Sequence, residues 1–161
     1  MYKIRLAGVA FLTLAHAALC QTPPALVLQG VDGPEIRLTT QDLAKLPQHT
    51  FTVTDHDQPV TFQGVALSDL CAKMNVPSGE ALRGKLLALY LLVEGADGYQ
   101  AVFALPEFDG TFTDRAIFLA TARDGKPLPD TEGPFHLIVP GEKRPSRWIR
   151  QVTALRIRMA N

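Results

Sequence analysis

Cysteine is scarce in this chain, with two in 161 residues, Cys20 and Cys71. Should Cys20 leave with an N-terminal leader, Cys71 is the sole thiol and an intrachain disulfide is excluded. An excess of one charge is lacking too: 16 Lys and Arg face 16 Asp and Glu. General affinity for nucleic acid, which needs a basic balance, is therefore not a leading reading. No apolar run reaches the roughly 20 residues that span a bilayer, since the one from Leu6 to Leu14 is too short. There is no glycine-rich phosphate loop and no Gly-x-Ser-x-Gly elbow, and His49, His56 and His136 share no metal-like spacing. Ser68 and Ser146 lack an identifiable base. Asp55-His56-Asp57, just before Pro59, reads as a turn rather than an acid/base cluster.

What is present begins with a leader pattern. Met1 to Arg5 is basic, Leu6 to Leu14 is apolar, and Ala15-His16-Ala17 or Ala18-Leu19-Cys20 supplies a cleavage site, the second leaving Gln21 as the new N-terminus. Leu19 directly before Cys20 fits poorly the small residue that a lipidation site requires. The expectation is a signal peptide over residues 1–20, one domain over residues 21–161, and an exported, soluble, periplasmic or secreted product. Loss of Lys3 and Arg5 leaves 14 cationic residues against 16 acidic ones, a balance of minus two.

Along the remainder, apolar runs and turn residues alternate. Strands are expected at 25–31, 35–38, 50–55, 86–93, 99–105, 116–122, 135–139 and 152–159, while Val60 to Leu67 leads into a second helix. Thr39-Thr40 is placed to cap a brief helix over 41–46 that Pro47 stops. In that second helix Ser68 stands as the cap, and Leu67, Leu70, Cys71 and Met74 fall at helical spacing, which turns Cys71 to the core as an inert packed thiol. Strands predominate, so the fold class is α+β: a β-rich mixed sheet with a barrel-like core and a few short helices.

Charge is distributed unevenly. From Gly141 to Arg158 six Lys and Arg face the single acid Glu142, and the only tryptophan, Trp148, stands among them. An apolar strand, Phe135 to Val139, runs straight into a Pro140-Gly141 turn and then Lys143, Arg144, Arg147 and Arg150. A loop delivering guanidinium groups beside an indole suits a flat, polar or anionic ligand.

Five segments, taken together, carry a resemblance: Phe62-Gln63-Gly64-Val65-Ala66-Leu67-Ser68-Asp69-Leu70, Ala96-Asp97-Gly98-Tyr99, Asp124-Gly125-Lys126-Pro127-Leu128, Gly133-Pro134, and Leu137-Ile138-Val139-Pro140-Gly141. Their order resembles the oxidoreductase molybdopterin-binding domain, the sulfite oxidase fold, over roughly residues 50 to 159. The resemblance implies that Arg147 and Arg150 clasp a pterin or molybdopterin-like cofactor. Trp148 stands where catalytic members carry a small residue, which suggests stacking on the ring. If Arg147 and Arg150 share one helical turn, both point into one cleft, with Asp97 or Tyr99 supplying hydrogen bonds from the opposing turn; Lys143 and Arg144 are further candidates for ligand binding, facing either ligand or solvent. Catalytic members also hold molybdenum through a cysteine on the strand and turn before the Gly-Val-x-Leu element, and residues 50–58 contain none.

The resemblance therefore implies the scaffold and the pterin cleft, with no metal and no redox reaction expected. It points to a non-catalytic pterin-binding protein, a ligand sensor or carrier acting on a periplasmic or membrane signalling partner. The alternative is a molybdopterin-dependent oxidoreductase, or a subunit of one.

Overall fold

The computed structural model describes residues 24–160, so the expected signal peptide lies outside the described residues. Ten strands form two five-stranded sheets. The first sheet has the order β2 (Glu35–Thr39), β1 (Ala25–Gln29), β10 (Val152–Met159), β5 (Leu89–Gly95), β6 (Gln100–Ala104). It is mixed, because β1 runs parallel to β10 while the other pairs are antiparallel. The second sheet is antiparallel: β3 (His49–Asp55), β4 (Gln58–Ala66) and β7 (Phe118–Arg123), with β8 (Lys126–Pro127) and β9 (His136–Ile138) both pairing β7. Helices are few and short: α1 (Thr40–Leu43), α2 (Leu67–Lys73) and single 3₁₀ turns. The expected α+β, strand-dominated fold is what the chain adopts.

Alternation along the strands builds the core. In β5 every second residue is buried, and Leu91 and Val93 meet Leu155 and Ile157 of β10 and Phe103 of β6. Val65, Leu119 and Leu137 from the second sheet join the same cluster, as do Leu67, Leu70 and Cys71 of α2. The second sheet is apolar on its other face as well, where Val60, Phe62, Ala120, Leu128 and Ile138 form a smaller cluster. The loop between β9 and β10 lies against both clusters, and Trp148 packs on each. Gly64 sits where β4 bulges against β7: a Cβ there would lie 2.2 Å from the Leu119 carbonyl oxygen, so no larger residue fits this crossing.

Several sequence expectations meet different geometry. Thr39 caps α1 as expected, its hydroxyl accepting from the Asp42 amide while Asp42 accepts the Thr39 amide. Ser68, in contrast, is not a cap: α2 starts at Leu67, whose amide donates to the carbonyl of Ile117, just before β7, at 2.9 Å, so a neighbouring main-chain group takes the place of a side chain. The run expected as a strand from Leu86 begins pairing only at Leu89, because Gly84–Ala88 winds into 3₁₀ turns that leave Leu87 exposed. Both helical and extended backbone accommodate so short an apolar run.

Candidate functional site

Two adjoining hollows flank the β9–β10 loop. One, of about 260 Å³, is lined by Asp97, Tyr99, Pro145, Ser146, Trp148, Ile149 and Arg150. The other, of about 370 Å³, is lined by Thr54, Asp55, His56, Asp57, Glu142, Lys143, Pro145 and Trp148. Pro145 and Trp148 belong to both, so the indole is the wall between two lobes of one cleft. Two further hollows, about 330 Å³ beside α2 and about 640 Å³ beside the β1–β2 turn, are lined mainly by apolar and small residues and have no arginine or tryptophan. The convergence of charge and aromatic surface favours the loop cleft over either of them.

Trp148 is positioned from two sides. Its indole Nε1 donates to the Val139 carbonyl at 3.1 Å, and its ring is half-buried between the two apolar clusters. The opposing β5–β6 turn is fixed by Asp97, which accepts the Tyr99 amide at 2.9 Å. The Tyr99 hydroxyl reaches across the lobe to donate to the Ser146 carbonyl at 2.8 Å. Gly95 allows this approach, since a Cβ there would sit 2.9 Å from Asp97 Oδ1 and 3.1 Å from Ile149 Cγ2. The expected residues Asp97, Tyr99, Trp148 and Arg150 are thus brought together in one lobe, with Lys143 in the other. Arg144 is exposed and lines neither.

Arg147 corrects the expectation of two arginines on one helical turn. The 3₁₀ turn Pro145–Arg147 ends at Trp148, whose backbone is extended, so Arg150 lies beyond it on a different course. Arg147 lines neither lobe: its guanidinium is held by Glu142 (Nε to Oε1 2.9 Å), itself in the wall of the second lobe, and by Glu107 (Nη1 to Oε2 3.1 Å), and lies 4.4 Å over the Phe103 ring. Burial opposes its charge, but the bonds to Glu142 and Glu107 outweigh that and hold its pKa above the ordinary value. Arg150 is exposed, lines the first lobe and takes part in no ion pair or side-chain hydrogen bond among the described residues. We expect Arg147→Lys to destabilise the ligand-free protein by about 1–2 kcal/mol, because a point charge cannot serve two carboxylates and a ring face. Arg150→Lys is expected to leave the melting temperature nearly unchanged, and thermal denaturation of both variants checks the contrast.

A buried polar group behind the second lobe escaped the sequence reading. Glu132 and His136 are 7% and 3% exposed. Glu132 pairs with Arg123 at 2.8 Å, and Arg123 in turn lies 3.9 Å from Asp55. His136 Nδ1 is 3.4 Å from Glu132 Oε2 but off hydrogen-bonding geometry, and neither ring nitrogen has a hydrogen-bond partner among the described residues. Burial, against the opposing pull of Glu132, brings the His136 pKa down to about 4. Its folded-state pKa lies below the unfolded value, so between about pH 6.5 and 4 the unfolded chain binds more protons and stability falls as pH falls. The melting temperature should drop on acidification from pH 7 to 5, and His136→Phe should flatten that drop. An unchanged slope in the variant would reassign the acid sensitivity to another group.

Among the described residues no group of three or more His, Cys, Asp or Glu could hold a metal ion. Cys71 lines the hollow beside α2, not the cleft, and burial pushes its thiol up to about 12, far from a ready thiolate. Where the resemblance implies a molybdenum-ligating cysteine, the second lobe presents Thr54, Asp55, His56 and Asp57. The other lobe brings together the indole of Trp148, the guanidinium of Arg150 as a donor group and the carboxylate of Asp97 as an acceptor. No helix among the described residues is long and apolar enough to cross a membrane.

Comparison with known proteins agrees on the scaffold. Residues 58–160 match the sequence model of the oxidoreductase molybdopterin binding domain. The structure is similar to the sulfane dehydrogenase SoxCD of Paracoccus pantotrophus, with a TM-score of 0.62 and 22% sequence identity over 83% of this chain. At that identity the likeness carries the fold alone, and the chain spans 38% of the matched SoxCD chain. None of the curated proteins matches the chain.

Proposed function

This chain belongs to the oxidoreductase molybdopterin binding domain family, and from that premise we propose that it is an exported, non-catalytic pterin-binding protein. The observation that carries the reading is the cleft on the two sides of Trp148. Its first lobe offers an aromatic face with Arg150 and Asp97 at the rim. Its second lobe has no sulfur ligand where the resemblance implies one.

Within the first lobe each residue has a separable task. Trp148 supplies a face for stacking, held by its bond to Val139 and so prepaid in conformational entropy. Arg150 offers planar paired donors to carbonyl or ring-nitrogen acceptors. Asp97, already oriented by the Tyr99 amide, has acceptor capacity left for an exocyclic amino group. Tyr99 ties the β5–β6 turn to the loop at Ser146 and closes one end. Where family members hold molybdopterin, the cofactor supplies redox chemistry through its metal. Here the residues that fit are those for the heterocycle.

A protein that binds without transforming its ligand serves as a carrier or a sensor. The exposed Lys143, Arg144 and Arg150 around the cleft give a bound form a surface by which a periplasmic protein, or the outer part of a membrane signalling enzyme, could read occupancy. Mass spectrometry of small molecules released from protein purified out of its native compartment, with metal analysis of the same sample, tests the reading. A pterin released without stoichiometric molybdenum is expected. Molybdenum at near one atom per chain would instead establish the oxidoreductase reading.

A further inference from the structure

We propose that the protein forms a two-fold symmetric dimer by pairing the free edge of β3 antiparallel with β3 of a second copy, centred on Thr52. Among the described residues β3 is the outermost strand of the second sheet and pairs only with β4. The hairpin joining them turns at His56 and Asp57, both left-handed with φ of 48° and 61°, as a two-residue primed turn requires. The bond that closes such a turn, from the Gln58 amide to the Asp55 carbonyl, makes Asp55 and Gln58 a hydrogen-bonded pair. Alternation then directs the main-chain groups of Phe51, Val53 and Asp55 to β4, and those of Thr50, Thr52 and Thr54 outward. Outside the β3–β4 ladder, no main-chain bond among the described residues engages that outer row.

The other strand edges are protected and this one is not. β6 has its Val102 carbonyl covered by Arg147 at 3.3 Å. β2 carries exposed Glu35 and Arg37, and β8 is two residues long. β3 has seven residues in an unbroken register with β4, with no proline, lysine, arginine or bulge to blunt it.

The occupant is argued from the sequence of the edge, His49-Thr50-Phe51-Thr52-Val53-Thr54-Asp55. Antiparallel pairing about Thr52 sets Thr50 against Thr54 of the partner subunit, and Thr52 against its own copy. These are the residues whose outward groups can exchange bonds, about six in all, two at each of three pairs. On the other face Phe51 meets Val53 of the partner subunit, extending the stack of Phe51 on Phe118 at 4.1 Å. At each end this register sets the position of His49, 3.8 Å from Asp69 of its own chain, against that of Asp55 of the partner subunit, whose 16% exposed carboxylate is already bonded to His56, so these ends add little to the pairing. Parallel pairing would instead set like against like, so the strand is complementary to itself in one orientation.

Sedimentation velocity of the purified protein from about 1 to 100 µM should show a concentration-dependent dimer. Thr52→Lys places two ammonium groups across the symmetry axis and should weaken the dimer at least about tenfold while leaving the monomer folded, since the Thr52 side chain is exposed. Thr52→Cys should form a disulfide-linked dimer on mild oxidation, because paired Cα atoms at such a site lie about 5.5 Å apart. Thr50→Cys, facing Thr54 of the partner subunit, should not. A wild type that stays monomeric over that range, a Thr52→Lys variant that dimerises normally, or a Thr50→Cys variant that links as readily as Thr52→Cys would overturn the proposal.

Discussion

Replacing Glu142 by alanine should lower the stability of the ligand-free protein by about 2–3 kcal/mol, the larger part of what breaking a buried ion pair costs. Its carboxylate, 14% exposed, accepts from Arg115 Nη2 at 2.9 Å and from Arg147 Nε at 2.9 Å, and also bonds Arg147 Nη2. Without it two guanidinium groups would face each other with Glu107 as the remaining counterion, at 3.5 Å from Arg115 and 3.1 Å from Arg147. The arginines are about 30% exposed, so solvent screening keeps the loss below that of a fully buried pair. Chemical denaturation of the variant checks the value, and a loss under about 0.5 kcal/mol would show that the network is merely a surface one. The same cluster anchors the loop that carries Trp148 and Arg150, so the variant should bind ligand more weakly as well.

Trp148→Ala should have two separable effects. The indole bridges both apolar clusters and holds the Val139 carbonyl, so its removal should cost about 2–4 kcal/mol of stability, somewhat less than truncating a fully buried aromatic. Affinity for a pterin should fall by a further 1–3 kcal/mol or so, the usual scale for a ring stacked on an aromatic side chain. Trp148→Phe divides the two, since a phenyl ring retains a face for stacking and much of the packing but loses the bond to Val139. Denaturation and ligand titration of both variants should place Phe between wild type and Ala in each measure. Equal binding by all three would leave Trp148 as a core anchor alone.

The strands legible from sequence were those whose period matched their burial. Val152–Met159 alternates Arg156 and Arg158 with Leu155 and Ile157, and its boundaries are as expected. The turn reading of Asp55-His56-Asp57 and the inward face of Cys71 followed from equally local rules. Boundaries failed where tertiary contact decided them, as at Leu67, capped by the Ile117 carbonyl just before β7 rather than by Ser68. The lobe formed by Asp97, Tyr99, Trp148 and Arg150 was legible because two turns flank it, each recognisable by itself.

Arg147 was misplaced for a physical reason. Sequence spacing says nothing about which of several cations a distant carboxylate will claim, and Glu107 lies 40 residues away. One clue was present: Glu142, the lone acid in a cationic segment, is where a structural ion pair would be sought first. Glu132 and His136 gave less warning, since their burial together arises from the folding of β9 against β7.

The indole of Trp148 is the chain's only tryptophan, so its emission reports the cleft directly. Titration of the ligand-free protein with a pterin should quench that emission saturably, and the Arg150→Lys variant should require more ligand for the same quench while melting at the wild-type temperature. Emission that does not respond to any pterin, or a quench that Arg150→Lys leaves unaltered, would contradict a heterocycle held between Trp148 and Arg150.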